Sequence, residues 1–529
     1  VIGNLMRDQQ SKASWVVSLL FFARDPGFEL VRETIKTRLF VIPRFRSKLV
    51  YRRFPTRADF VELEESEIDL DYHFRTALDQ DGPVHIDELN KFVGNMFDGF
   101  HHPMDKPLWQ CTYVPRLADG RACLIANISH IIGDGVSQIE VLNRLLDESP
   151  PDDASVASEL APQTKLEVTP ESPASTREQR EPEVAAAILL DRSASSSKPK
   201  RRPTDTRTSS IVSTGSAPAL VREATNLTIR ESATESIPKR RKPPSIGPFT
   251  KARVFVHGVV EGAVMPFSRP DPRNTLRLKD LTRPSATKRC SLTPTIPLDR
   301  VKELKNMFDG ATVNDVLVTL LTLVLKAYFV EVGDKAGLTK KVRAQFPINT
   351  RSRGEEPFRA GNPHNKFGFG FMRFHVGYKG TPIQLLWKTK RTLDKIKHSP
   401  SPLVQTKVGD LISPFMPLKM LNDTTLTLAA KATAQMSNVP GPQVPVYIAG
   451  TKIDDMRFLI NSPLSFYVGL LTYNGALSAS FCIDSALADP ELVAKHWLPE
   501  FEKFYKAASA EAKLHDGLIS RPRGCFDCL

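Results

Sequence analysis

The chain has 529 residues, of which 41% are hydrophobic, and 72 Lys and Arg against 59 Asp and Glu leave a formal net charge of +13. That length allows two or three domains, the apolar content allows a large core, and the positive balance suits an anionic membrane face or a phosphate-bearing co-substrate. Six scattered cysteines do not make a disulfide scaffold and point to a reducing compartment, and with neither an aromatic-and-basic RNA motif nor a basic helical zipper no nucleic-acid partner is expected.

Residues 1–147 read as one α/β unit. Ser14 to Phe22 is a strand and Glu29 to Leu39 a helix with Leu30, Val31, Ile35 and Leu39 on one face. Arg44 to Arg52 is basic and partly extended. Ile86 to Met96 is a second amphipathic helix, because Leu89, Phe92, Val93 and Met96 recur at spacings of three and four. Pro107-Leu108-Trp109 opens an extended run through Val114, Asp119-Gly120 is a hairpin turn, and Ala122 to Ile128 is the returning strand. A helix follows from Val136 to Leu146. His101-His102 lacks a carboxylate or cysteine at ligand spacing, so no metal site is expected there or elsewhere.

Between residues 148 and 250 the composition turns to Pro, Ser, Thr, Glu, Lys and Arg with almost no aromatics. Ordering costs roughly 1–2 kcal/mol per residue, which such a segment cannot offset by burial, so it reads as a disordered linker. Its basic clusters, Lys198 to Arg202 and Lys239 to Lys242, read as solvated chain, with contact to anionic lipid as the functional alternative. Residues 251–515 read as a second α/β unit. It holds helices at Asp299 to Phe308, Thr312 to Val330 and Pro382 to Lys397, and strands at Val342 to Ile348 and Phe367 to Val376. Ser437 to Pro442 reads as a turn-rich loop, Leu464 to Ile483 as a hairpin around Asn474-Gly475, and Leu492 to Tyr505 as a closing helix. Val316 to Leu325 covers about half a bilayer span and reads as a buried helix, so no transmembrane segment is expected. Residues 516–529 are a tail whose Cys525 and Cys528 lack the second pair that a zinc site needs.

The chemistry concentrates at Ser129-His130-Ile131-Ile132-Gly133-Asp134-Gly135, on a strand–loop–helix junction where side chains can face a cleft. An imidazole of near-neutral pKa can take a hydroxyl proton during attack on a thioester and return it to the leaving thiolate. His130 fits that role. Asp134 stands with His130 as a candidate catalytic residue and has two readings: direct catalysis, or a structural role in the loop, the second favoured, through an ion pair with an Arg from elsewhere in the chain. Gly133 and Gly135 allow close backbone approach or positive φ. No GxSxG, P-loop, HExxH or GxGxxG is present, so a covalent acyl-enzyme has no evident nucleophile.

Ser129 to Gly135 resembles the HHxxxDG motif of the wax ester synthase/diacylglycerol acyltransferase family. Asp105 to Trp109 resembles its PLW block, Ile68 to His73 its FDLxxH stretch, and Asn314-Asp315 its ND motif. Gly361-Asn362 and Ser437-Asn438-Val439-Pro440-Gly441-Pro442 complete the ordered series, which spans nearly the whole chain apart from the linker. The resemblance implies two chloramphenicol-acetyltransferase-like α/β lobes with a tunnel between them and His130 at its middle. It further implies Asp134, Gly135 and Ser129 in the catalytic loop, Pro107, Leu108 and Trp109 beside it, and Asn314, Asp315, Ser437, Asn438, Pro440 and Gly441 on the facing lobe. The implied reaction transfers an acyl group from acyl-CoA, as co-substrate and without other cofactor, to a fatty alcohol or diacylglycerol. The implied location is the cytosolic face of a membrane, endoplasmic reticulum or lipid droplet. Ser129 stands where the family usually has its first histidine. The alternatives are a lipid-binding protein of the same fold without catalysis, or an acyltransferase with a different acceptor.

Overall fold

The computed structural model describes residues 15–52, 57–78, 82–97, 103, 105–148, 268–278, 287–339, 342–352, 354–397, 399–417, 431–462 and 464–520, with scattered positions between 420 and 429. The linker, both basic clusters, His101-His102 and the C-terminal Cys pair lie outside the described residues.

Two sheets carry the fold. Strands β1 (Trp15–Phe22), β4 (Phe74–Thr76), β5 (Trp109–Val114) and β6 (Ala122–Ser129) belong to the first. Its helices are α1 (Phe28–Phe40), the single turn α2 (Leu70–His73), α3 (Ile86–Met96) and α4 (Gly135–Leu145), and a separate ribbon pairs β2 (Ser47–Arg52) with β3 (Arg57–Glu62). Strand β1 is buried along nearly all of its sequence, WVVSLLFF, as suits a strand covered on both faces.

The second sheet comprises β7 (Lys288–Leu292), β8 (Ile296–Pro297), β9 (Val342–Asn349), β12 (Phe367–Phe374), β13 (Ala434–Pro440), β16 (Phe466–Tyr473) and β17 (Ala476–Asp484). Before β12 stands the short hairpin of β10 (Phe358–Arg359) and β11 (Asn362–Pro363). Helices α5 (Leu298–Asn306), α6 (Val313–Glu331), α7 (Lys335–Thr339), α8 (Pro382–Lys397), α9 (Ser401–Ile412), α10 (Glu491–Ala494) and α11 (Trp497–Leu514) complete this half. Helix α6 is long and apolar enough to cross a membrane, yet it is buried without a break from Asp315 to Leu325, as the sequence reading expected of a core helix.

The second half of the chain lends two strands to the first sheet. Strands β14 (Tyr447–Ile448) and β15 (Thr451–Ile460) come from the second half but complete the first sheet, whose order is β14-β15-β1-β6-β5-β4. Val16 of β1 lies opposite Ile460 of β15 on one side and Ile128 of β6 on the other. A sheet inside the 1–147 segment alone would leave β1 with an open edge, so that segment is not closed by itself.

Ser437 to Pro440, read from its Pro and Gly content as a loop, is the end of the central strand β13, parallel to β16 from Ala434 opposite Phe466 to Pro440 opposite Thr472. On its other side β13 pairs with β9 only at Ala434 and Gln435. Beyond that point the two strands part, so Pro440 removes no ladder donor on that side. Gly441 continues the close approach: its N–H donates to the Thr472 carbonyl at 2.9 Å, and a Cβ would stand 2.8 Å from that oxygen. The Asn474-Gly475 turn is as expected, with φ of 44° and 72° at the two positions.

Candidate active site

Strand β6 delivers the HxxxDG loop. It lies between β1 and β5, and its last residue, Ser129, donates its backbone N–H to the Leu108 carbonyl. The PLW block therefore lies beside the start of the loop, on the neighbouring strand. Leu108 and Trp109 are buried, and the Trp109 indole N–H donates to the Phe45 carbonyl at 2.8 Å. His73, from the FDLxxH stretch, stacks on Trp109 with ring centroids 4.3 Å apart and donates from Nδ1 to the Trp109 carbonyl at 2.8 Å. Burial pushes the His73 imidazole down to about 4. The pair is thus a neutral aromatic stack that supports β5 and, through it, the loop on β6.

Ser129 is fully buried, whereas His130, the first residue past the strand, is half-buried. The imidazole Nδ1 lies 3.2 Å from Asn365 Oδ1, and its ring centroid is 5.3 Å from that of Phe367. Asn365 also donates from Nδ2 to the carbonyls of His130 at 2.9 Å and Ile131 at 3.2 Å. The histidine is therefore set against the segment that leads into β12, which belongs to the other sheet.

Asp134 is only 4% exposed and is the N-cap of α4, accepting from the Ser137 N–H at 3.1 Å. The Arg partner anticipated for it is Arg351, with Nη1 2.8 Å from Oδ2 and Nη2 3.1 Å from Oδ1. The Lys366 N–H donates to Oδ2 at 2.8 Å. Arg351 also donates to Ser137 Oγ at 3.1 Å and to the His364 carbonyl at 2.6 Å, and Ser137 Oγ donates to the same carbonyl at 2.7 Å. Burial first, and the Arg351 charge second, lower the His364 pKa. Arg44 adds a further tie, donating to the Ile132 carbonyl at 2.9 Å and to the Pro363 carbonyl, while its backbone N–H donates to Asn362 Oδ1 at 2.9 Å.

Neither glycine of the loop has positive φ. Gly133 is needed for close approach: a Cβ there would stand 3.0 Å from both Pro363 Cβ and Ser137 Cβ. A Cβ on Gly135 would meet only Val439 Cγ2, at an ordinary 3.5 Å. The loop is thus flanked by residues 362–367 on one side and by the end of β13 on the other, where β9 and β13 part.

The remaining motif residues sort into two groups. Asp315 forms a capping box at the start of α6, accepting from the Thr312 N–H and hydroxyl, each at 2.8 Å. Asn314 in the same turn accepts from Asn438 Nδ2 at 2.7 Å, so the ND and SNVPGP motifs meet. Ser437 is buried in β13, and Pro440 is exposed at its end. Sequence reasoning missed Arg351, Asn365, Arg44, Ser137 and Phe367. The polar loop Asn349 to Arg353 and the Gly361-Asn362 pair were the nearest signals, but no spacing rule links residues so far apart in the chain.

The catalytic-domain profile of the wax ester synthase/diacylglycerol acyltransferase family matches residues 10–241, and its C-terminal-domain profile matches residues 364–504. A candidate diacylglycerol O-acyltransferase of Mycobacterium bovis is 24% identical over 432 residues, covering 79% of this chain and 76% of its own length. Another from Mycobacterium tuberculosis is 22% identical over 422 residues, with 76% and 67% covered. Among solved structures, the wax ester synthase/diacylglycerol acyltransferase from Marinobacter aquaeolei VT8 matches with a TM-score of 0.54 at 18% identity over 98% of both chains. The first condensation domain of the calcium-dependent antibiotic synthetase matches with a TM-score of 0.51 at 12% identity, covering 96% of this chain and 95% of its own. At these identities the structural likeness concerns the fold, the two-lobed mixed α/β architecture.

Proposed function

This chain belongs to the wax ester synthase/diacylglycerol acyltransferase family, and from that premise we propose that it transfers a long-chain acyl group from acyl-CoA to a fatty alcohol or diacylglycerol. The observation that carries the reading is the placement of His130: half-buried at the end of a sheet strand, beside the Phe367 ring, and tied to the opposite lobe by Asn365.

In this reading the acceptor hydroxyl gives its proton to the His130 imidazole as its oxygen attacks the thioester carbonyl carbon. The tetrahedral oxyanion then collapses, the carbon–sulfur bond breaks, and the imidazolium returns the proton to the CoA thiolate. Ester and free CoA thiol are the products, and no acyl-enzyme forms. Asn314 and Asn438 are the candidate oxyanion donors. Each amide has two N–H bonds, and the contact between them uses one from Asn438. Asn314 also sits in the first turn of α6, where the helix dipole favours negative charge. Asp134 holds the loop and takes no proton. The substrates would meet in a tunnel between the lobes, at a lipid surface on the cytosolic side.

Purified protein supplied with a long-chain acyl-CoA and either hexadecanol or diacylglycerol tests this directly. Ester from one or both acceptors, with free CoA in equal amount, is expected. No ester from either leaves a lipid-binding role or a different acceptor.

A further inference from the structure

The three contacts of the Asn365 amide determine its orientation. Its Nδ2 lies 2.9 Å from the His130 carbonyl and 3.2 Å from the Ile131 carbonyl, and carbonyl oxygens only accept. Rotating the amide by half a turn would set its oxygen against both, so Oδ1 must be the atom 3.2 Å from the His130 ring. An amide oxygen facing imidazole Nδ1 requires that nitrogen to carry the proton, which places the lone pair of the neutral ring on Nε2. Left to itself in water, a neutral histidine favours the opposite arrangement, with the proton on Nε2.

Asn365 is itself held on both flanks. The carbonyl of His364 accepts from Arg351 at 2.6 Å, and the N–H of Lys366 donates to Asp134 at 2.8 Å. The buried ion pair therefore grips the residues before and after Asn365, while the described bonds of the Asp134 carboxylate go to Arg351, Ser137 and Lys366.

We infer that Asn365 is a positioning residue that fixes the Nδ1–H tautomer of His130, and that Asp134 and Arg351 act on the reaction by holding Asn365 in place. The inference rests on the reading of His130 as the base acting through Nε2. It assigns the orienting role, which a carboxylate often takes beside a basic histidine, to a neutral amide from the facing lobe.

Long-range proton–nitrogen NMR of unliganded protein carrying 15N-labelled imidazoles tests it, with His130 identified from the signal lost in His130→Ala. The expected spectrum has the proton on Nδ1 and none on Nε2; the reverse overturns the inference. Asn365→Leu should shift the tautomer ratio by about tenfold toward Nε2–H. Its kcat should fall by about 100-fold at little changed KM, within the ~10²–10⁴-fold that a general base contributes. Asn365→Asp retains an acceptor for Nδ1–H and should recover the tautomer, but its second oxygen would stand against the His130 and Ile131 carbonyls, so kcat should recover only slightly. A loss of kcat with an unaltered tautomer ratio in the Leu variant would make Asn365 a loop brace only and overturn the assignment. If the Leu variant does not fold, the wild-type spectrum and the Asp variant still decide. The spectra need no substrate, so failure of the acyltransferase reading, seen as absence of ester from wild type, is separately recognisable.

Discussion

Arg351 and Asp134 form a buried two-contact ion pair across 217 residues of chain, their side chains 3% and 6% exposed. Each half of the molecule supplies one charge. Removing either partner leaves the other desolvated and unpaired, which costs about 3–5 kcal/mol. Asp134→Ala and Arg351→Ala should each lower stability by that amount in denaturant melts. The double variant should be well short of their sum, because once one partner is gone the other has no attraction left to lose. Strict additivity would show that the pair is not coupled.

His130 carries no comparable structural load. His130→Ala should reduce kcat by ~10²–10⁴-fold while the melting temperature stays at the wild-type value. Ester formation at the wild-type rate would remove His130 from the base role.

The two loop glycines should separate. A methyl on Gly133 must displace Pro363 or Ser137, each 3.0 Å from the new Cβ, so Gly133→Ala should cost ~1–3 kcal/mol. Gly135→Ala meets Val439 at 3.5 Å and should fold with unchanged stability. A loss of kcat in the second variant alone would place substrate against Gly135.

His73 predicts an acid-labile stack. Its folded pKa is depressed to about 4, below the ordinary 6.5. The folded state therefore resists a proton that the unfolded chain accepts, and stability declines as pH falls from about 6.5 toward 4, by roughly 3 kcal/mol in total. His73→Asn keeps a donor for the Trp109 carbonyl but cannot titrate. Comparing melts of the two proteins across that range isolates the term, and parallel curves would assign the acid sensitivity elsewhere.

Ser129 is enclosed, whereas His130 is accessible. Ser129 is the last residue of β6 and fully buried, while the next residue is half-buried. Ser129→Ala should keep kcat within about threefold, since a buried neutral hydrogen bond is worth only ~0.5–1.5 kcal/mol and the base is untouched. A kcat drop matching that of His130→Ala would mean that the hydroxyl takes part in the reaction.

The elements most legible in the sequence were those with strong local pattern. Strand β1, helices α1, α3, α6 and α8, and the Asn474-Gly475 hairpin begin and end within one or two residues of expectation. Ser437 to Pro440 misled because Pro and Gly are read as turn signals. Here Pro440 ends a strand whose far side has already lost its partner. Helix α9 was missed because its exposed residues mix apolar and charged side chains, Leu403, Val408 and Leu411 beside Lys407 and Asp410, so its periodicity does not separate a core face from a solvent face. Strand β15 lay in a stretch given no element, and its role in the first sheet depends on a partner more than 400 positions earlier, as Val16 opposite Ile460 shows.

For the site, the sequence by itself determined which loop carries the candidate base and that position 130 rather than 129 offers an imidazole, and it favoured an ion pair with an Arg for Asp134. Those follow from residue types at fixed short spacing, where backbone geometry carries the information. Only the tertiary structure decided that the Arg is Arg351, that Asn365 meets the imidazole, and that Gly133 rather than Gly135 is the crowded glycine. Each of these is a contact between distant segments, set by where β9 and β13 part and by what the folded chain brings to that gap.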